Sequence, residues 1–86
     1  GQNRPQKLKF SYKEEREYET IDDDIEKLED LIATLENDIM ANATNSVKLR
    51  ELMAKKEEAE KQLEEKMDRW VYLNDLAEKI EAQKNE

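Results

Sequence analysis

The most regular pattern in the chain is a stripe of apolar residues between positions 18 and 39. Its members recur at alternating steps of three and four and are Tyr18, Ile21, Ile25, Leu28, Ile32, Leu35 and Ile39. This spacing places them on one face of a helix, and charged residues occupy most positions between them. One such helix cannot bury its stripe alone, so the pattern predicts a second helix that packs against it.

A second and less regular stripe follows the first. Its members are Leu49, Leu52, Lys56, Ala59, Leu63, Lys66, Trp70, Leu73, Ala77 and Ile80. The uncharged segment 41–46, ANATNS, separates the two stripes and is rich in residues that favour turns and helix caps. Because so short a connection favours antiparallel neighbours, the sequence predicts an all-α fold: an antiparallel two-helix coiled-coil hairpin preceded by a short N-terminal helix.

Two start signals leave the first helix open to alternatives. Ser11 followed by Glu14 is typical of a capping box, and Thr20 followed by three Asp residues is a second N-terminal signal. Either one helix runs from 12 to 41, or a short helix breaks near Thr20; we favour the break. The predicted organisation is a flexible linker over 1–9 and a helical hairpin domain over 10–84, with helices over about 12–19, 21–41 and 47–83 and a tip at 42–46.

The two stripes also predict a register. Folding the chain at a tip near residue 44 sets Leu35 opposite Leu52 and Ile32 opposite Lys56, whose ammonium group must then reach solvent. Tyr18 faces Trp70 at the open end of the hairpin. If Trp70 is buried there, its replacement by alanine should cost about 3–5 kcal/mol.

Charge and composition exclude most chemistry. The 86 residues carry a net charge of −8, distributed as +3 over residues 1–16, −9 over 17–40 and −2 over 41–86. The chain has no Cys, no His and one Gly, which excludes thiolate and imidazole catalysis, the usual zinc ligands and a glycine-rich phosphate loop. No apolar run has transmembrane length. We expect a soluble chain without catalytic residues, metal or a cofactor of its own.

Two basic clusters are the candidate binding residues. The predicted nucleic-acid-binding set is Lys7, Lys9, Lys13 and Arg16 near the start, and Lys48, Arg50 and Lys55 after the tip. Such Lys and Arg side chains contact phosphates. Phe10 and Tyr12 lie between those near the start and could stack on nucleobases. The alternative is ordinary coiled-coil surface charge that pairs with acids across the hairpin.

Three segments carry a resemblance to a known family. The opening run KFSYKEERE (9–17), the middle IEKLEDLI (25–32) and the closing RWVYLNDLA (69–77) resemble the C-terminal domain of Uup-type ABC-F ATP-binding cassette proteins. The resemblance covers about residues 7–83. It implies a coiled-coil hairpin at the end of a bacterial protein with two ATPase cassettes, which would bind ATP and act on ribosomes or in DNA-related processes.

The resulting expectation is a monomeric, DNA-binding accessory domain of a larger cytoplasmic ATPase. RNA or the ribosome and the parent's own cassettes are the other partners considered, and no membrane contact is expected. One alternative is a protein-interaction or ribosome-docking spacer that does not touch DNA. Another is an intermolecular coiled-coil dimer, in which the tip straightens. The chain itself is not expected to be an enzyme.

Overall fold

The computed structural model describes residues 7–85, which form two long antiparallel helices. Helix α1 spans Tyr12–Ala41 and helix α2 spans Ser46–Lys84, with a turn at 42–44 between them. The hairpin measures 71 × 22 × 16 Å. The predicted all-α antiparallel hairpin is confirmed, and its tip and the bounds of the helix after it agree with the prediction to within about one residue.

The predicted break near Thr20 is wrong, because α1 is one continuous helix. The Thr20 hydroxyl lies 3.5 Å from the carbonyl oxygens of both Arg16 and Glu17. It therefore donates back into the preceding turn, as Thr does inside a helix, instead of capping a new one. Ile21, the next residue, is 1% exposed. Burial of the apolar stripe across this point outweighs the local start signal.

Polar side chains fix the ends of the helices. Ser11 Oγ accepts from the backbone N–H of Glu14 at 3.1 Å, and the Glu14 carboxylate accepts from the backbone N–H of Ser11 at 2.9 Å. This is the predicted capping box. At the tip, Asn42 closes α1 with its side-chain amide on the Asp38 carbonyl, and Asn45 caps α2 through the Lys48 N–H.

The core is a thin seam between the helices. Its buried members are Ile21 and Leu35 from α1 and Leu52, Ala59 and Leu73 from α2. Leu35, Leu52 and Ala59 form one cluster, and Ile32 and Ile39 pack on it. The predicted pairing of Leu35 with Leu52 is thus confirmed.

Lys56 lies on the seam stripe and behaves as predicted. Its side chain is 32% exposed, and its Nζ reaches Glu36 Oε1 at 3.8 Å across the hairpin. The aliphatic stem follows the seam while the ammonium group emerges on its edge.

Trp70 is not buried at the seam, so the condition for the predicted loss of about 3–5 kcal/mol is not met. Its side chain is 41% exposed, and its indole Nε1 donates to Asp22 Oδ1 at 2.8 Å. Leu73, one turn further along α2, is completely buried instead. Because much of the indole already contacts water, a Trp70→Ala variant should lose less than the full burial of the ring would imply.

The other aromatic residues lie at the open end, which we call the base of the hairpin. Phe10 and Tyr18 pack together with ring centroids 5.0 Å apart, in a surface groove shared with Ala77 and Ile80. Tyr18 therefore lies against a later part of α2 than the predicted register proposed. Tyr12 is 75% exposed and lies outside the seam.

The segment before α1 is attached to the end of α2. Leu8 donates its backbone N–H to Gln83 Oε1 at 2.6 Å, and Gln83 Nε2 donates to the Leu8 carbonyl at 2.9 Å. Residues 7–9 of the predicted linker have no regular secondary structure but are held at this point; residues 1–6 lie outside the described residues. No helix within residues 7–85 is both long and apolar enough to cross a membrane.

Candidate nucleic-acid interface

A polar network joins the two helices at the base. Arg69 of α2 forms two hydrogen bonds with the Glu17 carboxylate, Nε to Oε2 at 2.9 Å and Nη2 to Oε1 at 2.7 Å. The same guanidinium lies 4.7 Å from the centre of the Tyr72 ring. Tyr72 in turn donates its hydroxyl to Glu14 Oε2 at 2.5 Å. The network therefore runs from the capping box through α2 and back to α1.

These contacts shift four pKa values in directions that favour the paired forms. The backbone N–H of Ser11, followed by the Tyr72 hydroxyl, lowers the pKa of Glu14. The Arg69 hydrogen bonds lower the pKa of Glu17, and Glu17 raises the pKa of Arg69 in return. The hydrogen bond to Glu14 raises the pKa of Tyr72. Both acids thus stay ionised and directed at α2 in neutral solution.

The Glu17–Arg69 pair should make the hairpin sensitive to acid. The pKa of Glu17 in the folded chain lies below its ordinary value of 4.5, so the pair stabilises folding above about pH 4.5 and loses this effect as the pH falls through the lowered value. We expect Glu17→Gln to lower the urea midpoint at about pH 6, and the difference from the wild type to shrink at about pH 3.

Glu19→Gln is the matched control for this experiment. It removes one charge from the same helix, and Glu19 forms no ion pair with a base within residues 7–85. Its difference from the wild type should not shrink in acid. An equal loss of midpoint for Glu17→Gln at both pH values would show that the pair does not stabilise the fold.

The exposed bases of α1 lie along one side of the hairpin. Arg16 follows Lys13 by three residues and Lys27 follows Arg16 by eleven, so the three bases share one side of the helix. The apolar Leu31, four residues after Lys27, lies on the same side. Lys13 lines a shallow groove with Lys66 and Arg69 of α2. This side of α1 therefore adjoins the same side of α2.

Two bases of α2 extend this side towards the tip. Lys55 lines a groove with Leu31 and Gln62, which places it beside the α1 bases. Lys48 precedes Lys55 by two helical turns and lies on the same side of α2. We call this surface the basic flank; its members are Lys13, Arg16, Lys27, Lys48 and Lys55. All five residues are exposed.

The structure brings together only part of the predicted nucleic-acid-binding set. Arg50 follows Lys48 by about 200° of helical rotation and points away from the basic flank, and its Nε donates to the Ser46 carbonyl at 3.4 Å. Arg50 therefore does not share one surface with Lys48 and Lys55, contrary to the predicted cluster. Lys7 lies in a groove with Ile80 and Lys84 at the end of α2. Lys9 is exposed ahead of α1.

The two predicted clusters also lie far apart. Lys13 is near the base, and α1 rises about 42 Å from Lys13 to its last residue at the tip. A single compact basic patch is therefore absent from the described residues. The bases form a line along the hairpin instead.

Cross-hairpin pairing accounts for few of these charges. Within residues 7–85, Lys48 pairs only with Glu51 of its own helix, at 3.9 Å. Lys13, Arg16, Lys27 and Lys55 are absent from the ion pairs among these residues. Two acids on this side bind bases of α2 instead: Glu17 binds Arg69, and Asp24 binds Lys66 at 3.1 Å.

Comparison with known proteins identifies the domain. The model of the ABC transporter C-terminal domain family matches residues 9–75. The chain belongs to this family. It is also 39% identical over 74 residues to a Bacillus subtilis (strain 168) protein described as the uncharacterized ABC transporter ATP-binding protein YfmR. No solved structure matches the chain.

The match spans 86% of this chain but only 12% of the Bacillus protein. The resemblance to the C-terminal domain of an ABC-F-type protein is confirmed. In this ABC transporter C-terminal domain, the opening and closing segments that carried the resemblance are the ones that the base network joins. Ser11, Glu14 and Glu17 come from the first, and Arg69 and Tyr72 from the second. These motif residues therefore link the two helices at the base.

Sequence reasoning missed two bases of this ABC transporter C-terminal domain. Lys27 was overlooked because it is the only base between residues 17 and 40. A projection of α1 as a helix finds it, since it lies three turns from Arg16 on the same side. Lys66 was counted only as a member of the apolar stripe, and its partner Asp24 could not be identified without the register.

Proposed function

We propose that this domain is a nucleic-acid-binding accessory domain of a larger ABC-F ATPase, with DNA as its expected partner. Phosphate contacts come from the basic flank. The observation that carries the proposal is that four exposed bases of this flank form no ion pair within residues 7–85. Lys13, Arg16, Lys27 and Lys55 remain exposed, while Glu17 and Asp24 are held in ion pairs with α2. Exposed bases that form no ion pair among the described residues are suited to displace the counterions of a phosphate backbone.

The shape of the flank suits an extended ligand. It follows the hairpin over roughly 40 Å, which is about one helical turn of duplex DNA. A straight, rigid row of bases can follow a phosphate backbone but offers little to read base edges. We expect binding without strong sequence preference, with a large electrostatic share. The acidic remainder of the surface would face away from the nucleic acid and keep the affinity low.

The rest of the parent protein would provide the ATP chemistry. The relative in Bacillus subtilis is named as ATP-binding, and this chain corresponds to only 12% of it. We place ATP binding and hydrolysis in the remaining part, in a cytoplasmic protein, with this domain as a monomeric attachment. The parent's own cassettes and the ribosome are the alternative partners of this domain in the same proposal.

The test is a titration of the chain into labelled nucleic acid. Fluorescence anisotropy with a duplex DNA of about two helical turns and with an RNA hairpin, at about 20 and about 150 mM salt, measures binding to each. With four phosphate contacts, the logarithm of the affinity should fall against the logarithm of salt concentration with a slope of about −3 to −4. Preference for the RNA hairpin would favour the ribosome setting. Absence of binding to both at low salt would contradict the proposal.

A further inference from the structure

A patch of apolar side chains is exposed on the side of the hairpin opposite the basic flank. Met67, Trp70 and Val71 are 53%, 41% and 61% exposed. Trp70 and Val71 follow Met67 by three and four residues on α2, so both adjoin Met67 on the helix surface. The Trp70 indole reaches across to Asp22 of α1, which extends the patch over both helices. Exposed Trp and Met side chains grouped in this way are typical of protein interfaces.

Carboxylates border this patch on both helices. On α1, five consecutive positions of the stripe that contains Asp22 are acidic, at steps of four and three: Glu15, Glu19, Asp22, Glu26 and Glu29. On α2, Glu60 and Glu64 lie two turns and one turn before Met67 on its side. None of these seven acids pairs with a base among the ion pairs within residues 7–85.

We propose that this surface, the acidic apolar patch, binds a basic amphipathic helical segment of a partner protein. Such a segment places its apolar positions on Met67, Trp70 and Val71, and its Lys and Arg side chains on the surrounding acids. This is the helix-in-groove mode of recognition, and it would add a third helix beside the seam. The apolar centre supplies affinity, and the acidic rim selects a basic ligand.

Charge excludes the other common ligands of an exposed surface. Phosphate groups of nucleic acids and of anionic lipids would meet the five acids of α1 and be repelled. The patch also faces away from the basic flank. The two surfaces can therefore be tested separately, and failure of one leaves the other unaffected.

The probe is a synthetic peptide of about eighteen residues containing only Lys and Leu, with its leucines at helical spacing. The isotope-labelled chain is titrated with it and followed by NMR. Trp70 is the only tryptophan, so its indole N–H gives one signal at the centre of the patch. We expect this signal and the amides of Asp22, Glu26, Met67 and Val71 to shift, and those of Leu31 and Lys55 to stay in place.

Matched variants separate the apolar contribution from general attraction. Met67→Ser with Val71→Ser should weaken peptide binding about tenfold, the loss expected when an interface centre is removed. Leu31→Ser is the control, because Leu31 is 46% exposed and lies on the basic flank. It should leave binding unchanged. All three positions are exposed, and circular dichroism verifies that the helices are retained.

A second pair of variants tests the acids. Glu60→Gln with Glu64→Gln should weaken binding, whereas Glu51→Gln with Glu58→Gln removes the same charge beside Lys48 and Lys55 and should not. Equal binding of a peptide with the same composition in non-amphipathic order would overturn the proposal, since only net charge would then matter. Shifts confined to the basic flank, no binding, or dimerisation of the chain through the patch would also overturn it.

Discussion

Replacing Leu73 by alanine is expected to lower the free energy of unfolding by about 2–5 kcal/mol. Leu73 is fully buried, and it and Ile21 are the largest completely enclosed side chains among the described residues. Only five apolar side chains are buried among the described residues, so few neighbours can move in to fill the cavity. Because small domains are often stable by only about 5 kcal/mol, this single change could unfold a large fraction of the chain.

The measurement is urea unfolding followed by the helical circular dichroism signal. Met67→Ala is the control, because Met67 is on the same helix and 53% exposed. Its effect should stay within about 0.5 kcal/mol. Equal destabilisation by the two variants would show that the seam is not the source of stability at the base.

The second large effect is expected from the basic flank. Replacement of Lys13, Arg16, Lys27 and Lys55 by glutamine should reduce the salt dependence of DNA binding by about 3–4 in slope, leaving it nearly flat. Each residue is exposed, and none is in an ion pair within residues 7–85, so the fold should persist. Anisotropy titrations at several salt concentrations, with circular dichroism of the variant, measure both properties.

The control removes the same number of charges elsewhere. Glutamine at Arg50, Lys61, Lys79 and Lys84 changes the net charge equally but leaves the basic flank intact. This variant should keep the salt slope of the wild type. A loss shared equally by both variants would indicate bulk charge attraction instead of a defined surface. Unchanged binding by the flank variant would show that the proposed phosphate contacts are wrong.

The hairpin could be predicted because its stabilising pattern is local and periodic. Ile and Leu at alternating steps of three and four specify a helix and the face it buries, and the short uncharged segment specifies where the chain reverses. From these, the position of Leu35 near Leu52 follows without further information. Lys56 could also be placed, because a long aliphatic stem can follow the seam and release its charge at the edge.

Features that depend on competition between interactions could not be predicted. At Thr20, a local capping signal competed with burial of Ile21, and only the packed structure shows that burial prevails. At the base, Trp70 and Leu73 were both candidates for the buried position. A straight α-helix drifts by about 20° per heptad against a strict seven-residue repeat, and a rotation of this size is enough to decide between two positions one turn apart. The spacing of apolar residues in the sequence does not specify this rotation.

The candidate site was predicted by residue type but not by arrangement. Proximity in sequence grouped Arg50 with Lys48, although a helix directs them to different sides. Lys27 was separated by sequence from the bases that it joins in space. The ion pairs of Glu17 and Asp24 with Arg69 and Lys66 could not be predicted without knowing which α2 residues lie opposite. Charge patterns along a helix therefore need projection around its axis before clusters are assigned.

The hydrogen bonds between Leu8 and Gln83 hold both ends of the hairpin together at its base. Because these two residues are hydrogen-bonded side by side, the chain passes into and out of the hairpin at the same end. The tip then projects about 42 Å from Lys13 without another support among the described residues. A rotation of about 10° imposed at the base would move the tip by about 7 Å. A small rotation at the base would thus move the tip, Asn42–Asn45, by more than the diameter of a water molecule.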